Sequence, residues 1–528
     1  VAIFFLSYLA LGLFIIQDYG ASWDEIPQRE LGILAWRYVF KNIDYFSFSF
    51  NNKFYGTTFQ LAACLIENIL KTKITRDALL IRHYMTFLLF FAGTVVFFFL
   101  CKLRFKDRRT ALFGAFSLII CPQIFSHSFY NPKDIPFLSL FIIGTYTMLV
   151  FLKHKTYLTA ILHATVSAVL VSTRILGIMI PFFTFCFLIL DIAILRPDKK
   201  TLIHKALSLF VYFFYFIPLL VLIWPVLWND PLHGLTQSLL TAKDIPFESG
   251  TLFLGEFRQP DTIPWFYTPL WMIISNIEIY VFLFFAGILA WIRSILSGGL
   301  KNNYIEKRTD VIFALCFFVP LIAPMIARTP LFDSWRHHFF IFPFALIFVI
   351  LGIRYCSGFL LNRFGKKGPL FLYCAIALNI AFVVLFMIRN HPFQHLYFNS
   401  FIGGIKGAYG KFELDYWGLS YKQGYKYILD HDNDYVAGVA IANYSGRVNA
   451  YYLPFDERAR IYLFNYPVEE PGTFEYFNAY LNRNVTDKIK YFATNYRWDL
   501  FEKYPYEKFH SIEVDGVEIF TIYKLYAF

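Results

Sequence analysis

The chain has 528 residues, 57% of them hydrophobic and only 16% charged, with a mean hydropathy of +0.50. A soluble domain carries roughly 25% charged residues, so this apolar excess excludes one soluble core and points to a chain that crosses a membrane many times. The net charge of +11 would suit a nucleic-acid partner, but the Lys and Arg residues gather in short loops between apolar runs, which argues against that class.

Hydropathy predicts about eleven spans, over 1–16, 84–101, 111–125, 136–152, 157–173, 175–195, 206–228, 271–292, 311–327, 338–353 and 369–388. The first is short for a helix that must cross lipid. It also begins without Met, so the expectation is that a preceding stretch with its own positive flank is missing from the sequence. The basic loops are Lys102 to Arg109, Lys153-His154-Lys155, Arg196 to Lys200, Arg293 to Arg308 and Arg354 to Lys367. If the spans simply alternate, all of these fall on one side, the positive-inside pattern. Residues 17–83, 126–135, Arg174, 229–270, 328–337 and everything after 388 then face outward. Seven cysteines are scattered without any C-x-x-C pair, and none follows residue 388. They read as buried thiols, and the last stretch needs no disulfide in an oxidising compartment.

Just after the first apolar run stands Ser22-Trp23-Asp24-Glu25. Adjacent carboxylates beside a membrane are costly if merely buried and well placed for chemistry at the interface. Acidic residues also favour the first turn of a solvated helix, and position alone does not choose between the two. In the rest of this long outer loop, Glu30–Phe40 and Thr57–Leu70 carry apolar residues at helical spacing and read as interfacial helices. The next outer hairpin, Ser126 to Phe137, contains Asn131-Pro132-Lys133-Asp134-Ile135-Pro136-Phe137. It fixes Lys133 and Asp134 at the ends of two spans, with Asp134 also suited to capping the next helix. Arg174 lies between two spans with almost no loop, where it would either pair with an acid or grip an anion. The loop 229–270, with Asp230, Lys243, Asp244, Glu256, Arg258 and Asp261, reads as a rim or lid. Phe332 to His338 opens a span from outside and places Arg336 there. Adjacent His337 and His338 on a helix point about 100° apart and do not read as a metal pair.

Past residue 388 the apolar runs end. Asp434–Ile441, Lys490–Thr494 and Val517–Tyr523 read as strands, and Tyr421–Asp430 and Thr473–Asn482 as helices. The expected architecture is an all-α polytopic membrane domain over 1–388 followed by a small α+β domain over 389–528. The aromatic stretch that opens the second domain, with Tyr416 and Trp417, would either stack on sugar rings or anchor at the interface.

These features together resemble the GT-C class of membrane glycosyltransferases: an acidic pair opening the first outer loop, interfacial helices after it, about a dozen spans, and Asn131 to Phe137. Within that class the chain is similar to glycosyltransferase family 39, the protein mannosyltransferase-like enzymes, and to the lipid A aminoarabinose transferases. The C-terminal domain lacks the three-repeat module of eukaryotic protein mannosyltransferases. The resemblance implies an inverting transfer of a hexosyl or pentosyl group from a polyprenyl-phosphate-sugar donor to an acceptor hydroxyl, on the outer side of what would be a bacterial inner membrane. Asp24 matches the family's general base and Glu25 its neighbour, and these two are the candidate catalytic pair. Placement makes Lys133, Asp134, Arg174 and Arg336 candidates for holding the lipid phosphate and sugar. Glu25 and Asp134 are candidates to share a divalent cation, Mg2+ or Mn2+. The expected partners are the lipid-linked sugar, a glycan, lipid or protein acceptor, and the bilayer, with no nucleic acid. The competing readings are a transporter or flippase of lipid-linked sugars, which would carry its charges near the membrane midplane, and a non-catalytic envelope scaffold.

Overall fold

Long apolar runs fold as helices because a helix satisfies every backbone N–H and C=O within its own segment, as lipid demands. The computed structural model describes residues 1–41, 43, 54–243, 250–297, 304–464, 489–500 and 504–525. Its first part comprises α1 (Ala2–Ile15), α2 (Glu25–Lys41), α3 (Thr58–Ile69), α4 (Thr75–Phe105), α5 (Arg108–Ile119), α6 (Pro122–Tyr130), α7 (Asp134–His154) and α8 (Tyr157–Thr173). It continues with α9 (Met179–Leu195), α10 (Lys199–Ile223), α11 (Pro231–Lys243), α12 (Tyr267–Ile274), α13 (Glu278–Leu296), α14 (Tyr304–Ala327), α15 (Phe342–Phe364) and α16 (Lys367–Arg389). One tight turn, Ile175–Ile178, leads into α9, and another, Arg336–Ile341, leads into α15.

Among the described residues, eight helices are long and apolar enough to cross a membrane, and the α5–α6 pair, bent by 67°, makes a ninth. The shorter apolar helices α1 and α8 fall on the expected spans 1–16 and 157–173. The expected span 271–292 differs: it is two helices, α12 and α13. The break is held by side chains that replace lost helix bonds, with Asn399 Nδ2 donating to the carbonyls of Ile273 (2.6 Å) and Asn276 (2.9 Å). The two expected interfacial helices appear as α2 and α3. They pack against α4 through a buried ion set in which Glu67 receives Arg29 at 2.9 Å and also Arg82. Of the acids expected in the rim loop, Asp244 lies outside the described residues.

The α13–α15 crossing is the closest kind of helix contact. A Cβ at Gly287 would overlap the Phe348 carbonyl oxygen, and one at Gly352 would overlap that of Leu283. Small residues at such crossings let backbones meet where lipid supplies no hydrophobic drive. Ion pairs lock the basic end of the bundle. Arg104 Nη2 donates to Asp310 at 2.7 Å, Arg308 Nη1 reaches Asp191 at 2.6 Å, and Lys155 lies 3.2 Å from Asp191.

After Arg389 the chain threads a buried stretch with α17 (Gly404–Ala408) and then forms a small sheet domain. Its elements are α18 (Tyr421–His431), β3 (Ala437–Ile441), α19 (Tyr444–Tyr452), α20 (Phe455–Ala459), β4 (Ile461–Phe464), β5 (Ile489–Thr494), β6 (Glu507–Val514) and β7 (Val517–Lys524). The sheet order is β4-β3-β5-β7-β6, with β3 parallel to both neighbours and β7 antiparallel to β5 and β6. The hairpin of β1 (Thr251–Phe253) and β2 (Glu256–Arg258) belongs to the 229–270 loop and bridges Phe412. Strands β3, β5 and β7 and helix α18 fall where the sequence predicts them. Edge strands β4 and β6 are additional: β4 is short, and β6 carries charges that mask a strand pattern. The expected helix Thr473–Asn482 lies outside the described residues.

Candidate active site

Helix alternation brings four chain segments to one end of the bundle: the turn before α2, the α6–α7 turn, the α8–α9 turn and the start of α15. Each is shaped locally. Asn131 caps α6, and its Oδ1 accepts from the backbone N–H of Lys133 (3.1 Å) and Asp134 (2.8 Å), the side-chain turn expected of Asn. Ahead of Arg336, Asp333 and Ser334 both adopt left-handed backbone, with φ of +56° and +62°. Two successive non-glycine residues in that region are strained. The conformation turns Asp333 toward Arg336 and Ser334 toward the Tyr416 hydroxyl, 3.3 Å away.

The charged side chains meet at this end. Asp134 Oδ1 lies 2.7 Å from Arg174 Nη1, and its Oδ2 lies 3.1 Å from Arg336 Nη1. Asp24 Oδ2 is 3.4 Å from Arg336 Nη1 and 4.0 Å from Lys133 Nζ. Arg336 Nη2 reaches Asp333 Oδ2 at 2.9 Å, and Arg497 from the sheet domain reaches Asp333 Oδ1 at 2.7 Å. Three carboxylates thus face four cations, which leaves the cluster short of one negative charge. Arg174 Nη2 also contacts His337 Nδ1 at 3.1 Å. Asp134 and Arg336 are almost fully buried, whereas Asp24 keeps 22% of its side chain exposed and Lys133 17%. Among the described residues, Asp24 Oδ2 has no hydrogen-bond partner. That oxygen is itself buried, set against the Arg336 guanidinium, so the exposed part of Asp24 lies elsewhere on the side chain.

An apolar cavity of about 320 Å³ runs from this cluster between α9, α11 and α14. Arg174, Lys243, His337 and His338 are among its polar lining residues, and Met179, Pro320, Ala323 and Pro324 among its apolar ones. Tyr55, also on its wall, lies under Lys133 Nζ at 4.9 Å from the ring centroid.

The structure therefore gathers Asp24, Lys133, Asp134, Arg174 and Arg336, and it turns Glu25 elsewhere. Glu25 is fully buried: its Oε1 accepts from the Ser22 backbone N–H (2.6 Å) and its Oε2 lies 3.0 Å from His83 Nε2. Both oxygens are engaged away from the cluster, which corrects its reading as half of a catalytic pair. The same geometry corrects the shared-cation reading. The Asp134 oxygens are taken by Arg174, Arg336 and Asn131 Nδ2 (3.0 Å), so the two carboxylates do not face one another. Among the described residues, no three His, Cys, Asp or Glu side chains gather in a way that could hold a metal. Asp134 is also no N-cap: it is the first residue of α7, after Lys133. Trp417 is neither a sugar platform nor an interfacial anchor, because it is 2% exposed and packs beneath Arg336, 5.2 Å from ring centroid to guanidinium. His338 sits apart from His337, 3.3 Å from Thr268.

Sequence reasoning passed over Asp333 and Arg497. Asp333 stands three residues before Arg336, a spacing that lets the pair meet across one turn. Arg497, between Tyr496 and Trp498 at the end of a strand, offers only an arginine among aromatics as a signal. Nearby, Glu413 is buried beside Asp333, and its Oε2 accepts from Thr251 Oγ1 at 2.6 Å. Burial first, and then the Asp333 carboxylate, push its carboxyl up to about 7, against the pull of Arg497.

No family model matches the chain, and no curated protein sequence matches it. Among solved structures, it is similar to ArnT from Cupriavidus metallidurans bound to undecaprenyl phosphate, at 13% identity and a TM-score of 0.46, over 99% of this chain and 97% of that one. It is similar to the Archaeoglobus fulgidus oligosaccharyltransferase in its apo form, at 13% identity and a TM-score of 0.43, over 88% of this chain. AglB from the same archaeon, in complex with an inhibitory peptide and a dolichol-phosphate, matches at 13% identity and a TM-score of 0.40. The present chain spans 66% of the length of each of these two archaeal chains.

Proposed function

We propose that this protein is an inverting membrane glycosyltransferase of the GT-C type that moves a sugar from a polyprenyl phosphate to an acceptor hydroxyl. The observation that carries the reading is Asp24: a partly exposed carboxylate between Arg336 and Lys133, in the same ion cluster as Arg174, which lines the apolar cavity. The sequence resemblance of Ser22 to Glu25 and of Asn131 to Phe137 supports the same class. Positive-inside placement puts this end of the bundle on the outer face.

The chemistry follows from the charges. A hydroxyl is a poor nucleophile until a base within hydrogen-bond reach takes its proton. Asp24 accepts that proton as the acceptor oxygen bonds to the anomeric carbon from the face opposite the phosphate. The bond from the anomeric carbon to the phosphate oxygen breaks, and its electron pair stays on that oxygen. A prenyl phosphodiester with one negative charge becomes a monoester with a second one forming. The diester supplies the one negative charge the cluster lacks. The second is matched as Asp24 becomes neutral on taking the proton, which frees Arg336 and Lys133, with Arg174, to face the leaving phosphate. The prenyl chain stays in the cavity and orients the phosphate. The ion pairs described for the bundle gather at its two ends, which favours an enzyme over a transporter with a charged midplane site.

The test is transfer in liposomes. The purified protein receives undecaprenyl phosphate carrying labelled hexoses, pentoses or amino sugars, with isolated cell envelope as acceptor. Release of undecaprenyl phosphate and an inverted product linkage, lost in Asp24→Asn while undecaprenyl phosphate still binds, is the expected result. An Asp24→Asn protein that transfers at the wild-type rate rules the assignment out.

A further inference from the structure

The stretch that carries Asp24 has little structure of its own. Between the end of α1 and the start of α2, backbone bonds within it are few: Asp18 N–H to the Ile15 carbonyl (3.0 Å) and Glu25 N–H to the Ser22 carbonyl (3.1 Å). Its remaining backbone groups are held largely by the sheet domain. Lys422 Nζ donates to the Tyr19 carbonyl at 3.1 Å and to that of Gln17, and Gln423 donates to the Asp18 carbonyl at 3.2 Å. Asn449 on α19 brackets Ala21, accepting its N–H at 2.9 Å and donating to its carbonyl at 3.0 Å. At Gly20 a Cβ would collide with Asn449 Oδ1 and the Leu419 carbonyl, so only glycine admits this close approach.

From beneath, the same helix reaches the turn through two buried side chains. The Tyr452 hydroxyl lies 3.2 Å from His83 Nδ1, and His83 Nε2 lies 3.0 Å from Glu25 Oε2. One tautomer satisfies the whole line: Tyr452 O–H donates to Nδ1, and Nε2–H donates to the carboxylate. Glu25 Oε1 in turn holds the Ser22 N–H, while the Ser22 hydroxyl donates to the Tyr130 carbonyl at 3.0 Å. The Glu25 carboxylate thus closes the turn back onto Ser22, with Asp24 inside it. A buried carboxylate is stable only where its partners hold it, so Glu25 fixes the turn.

We propose that the sheet domain sets Asp24 in place. Asn449, and Tyr452 acting through His83 and Glu25, are positioning residues, and Glu25 orients the turn and exchanges no proton with substrate. The inference rests on the reading of Asp24 as proton acceptor, and the test separates the two.

The full-length protein and its Asn449→Ala, Tyr452→Phe, Glu25→Gln, Glu25→Ala and Asp24→Asn variants are compared by two measurements. One is turnover of an undecaprenyl-phosphate-linked sugar, with kcat and KM resolved. The other is amide hydrogen exchange of the peptide spanning Ala21 to Glu25. A displacement of about 1 Å at a reacting group costs roughly 100-fold. Asn449→Ala and Glu25→Ala are therefore expected to lose kcat on that scale with KM for the lipid-linked sugar unchanged, and to exchange faster. Tyr452→Phe removes one hydroxyl and follows in the same direction, which covers the case of an Asn449→Ala chain that does not fold. Glu25→Gln keeps an oxygen for Ser22 and is expected to retain most of kcat. A Glu25→Gln protein as inactive as Asp24→Asn, with wild-type exchange, overturns the positioning role, and so does faster exchange in Asn449→Ala or Tyr452→Phe with kcat intact. If Asp24→Asn itself stays active, the base assignment falls on its own, and unchanged exchange in Asn449→Ala and Tyr452→Phe would then overturn the clamp.

Discussion

Arg336 Nη1 stands 3.4 Å from Asp24 Oδ2, a guanidinium from the turn before α15 set against a carboxylate from the turn before α2. The same nitrogen is 3.1 Å from Asp134 Oδ2, so one buried fork steadies the candidate base and faces the space where a phosphate would lose its sugar. Lysine in its place keeps the charge and loses the fork. Arg336→Lys should lower turnover about 10²–10³-fold, with a smaller loss in undecaprenyl phosphate affinity because Arg174 and Lys133 remain. Steady-state transfer and lipid-phosphate titration on the same protein check both parts.

Asp134 is the internal counter-ion of two buried arginines. Removing it leaves Arg174 and Arg336 uncompensated, which costs roughly 3–5 kcal/mol for a buried pair. Asp134→Ala is expected to lower the thermal midpoint in detergent sharply. Adding Arg174→Met to that variant should recover part of the loss, since it removes one of the orphaned charges. Thermal unfolding of the two single variants and the double variant measures the coupling.

The cavity below Arg174 gives a steric prediction. Ala323 lines it with Pro320 and Pro324, and a Trp there would displace part of a prenyl chain. Losing the burial of two methylenes costs about 1.6 kcal/mol, or roughly tenfold in affinity. Ala323→Trp should weaken binding of undecaprenyl phosphate by at least that much and leave a short-chain prenyl phosphate little affected. Equal losses for both chain lengths would place the lipid elsewhere.

Glu413 supplies a pH dependence. Its folded carboxyl is pushed up to about 7 by burial and by Asp333, above its unfolded value near 4.5. The folded state therefore binds the extra proton between those two values. The stability this group contributes is complete below about pH 4.5 and is lost as pH rises through 7. Thermal midpoints taken from pH 5 to pH 8 should fall for the wild type and fall less for Glu413→Gln.

Hydropathy made the bundle legible, because each apolar run must become a helix in lipid, and alternation then puts Asp24, Lys133, Asp134, Arg174 and Arg336 at one end. That arithmetic assigns a side of the membrane and cannot say which way a side chain points. Asp24 and Glu25 show the limit: neighbours at the start of a helix diverge by about 100°, and one faces the cations while the other faces His83. Arg497 and Asp333 were illegible for a different reason. Their contact spans 164 residues and joins a loop of the sheet domain to the bundle, so no local pattern encodes it. The break between α12 and α13 was hidden as well, because the side chain that fills it, Asn399, lies far along the chain.

The bracket around Ala21 joins residues 428 positions apart. At about 5–20 residues per second of synthesis, Ala21 is made roughly 20 to 90 s before the asparagine that holds it exists. During that interval the turn before α2 has only its contacts within the bundle, Glu25 to His83 and Ser22 to the Tyr130 carbonyl, to hold it. The bracket on that turn closes only once synthesis has passed Asn449, so the sheet domain completes the geometry of a segment made near the start of the chain.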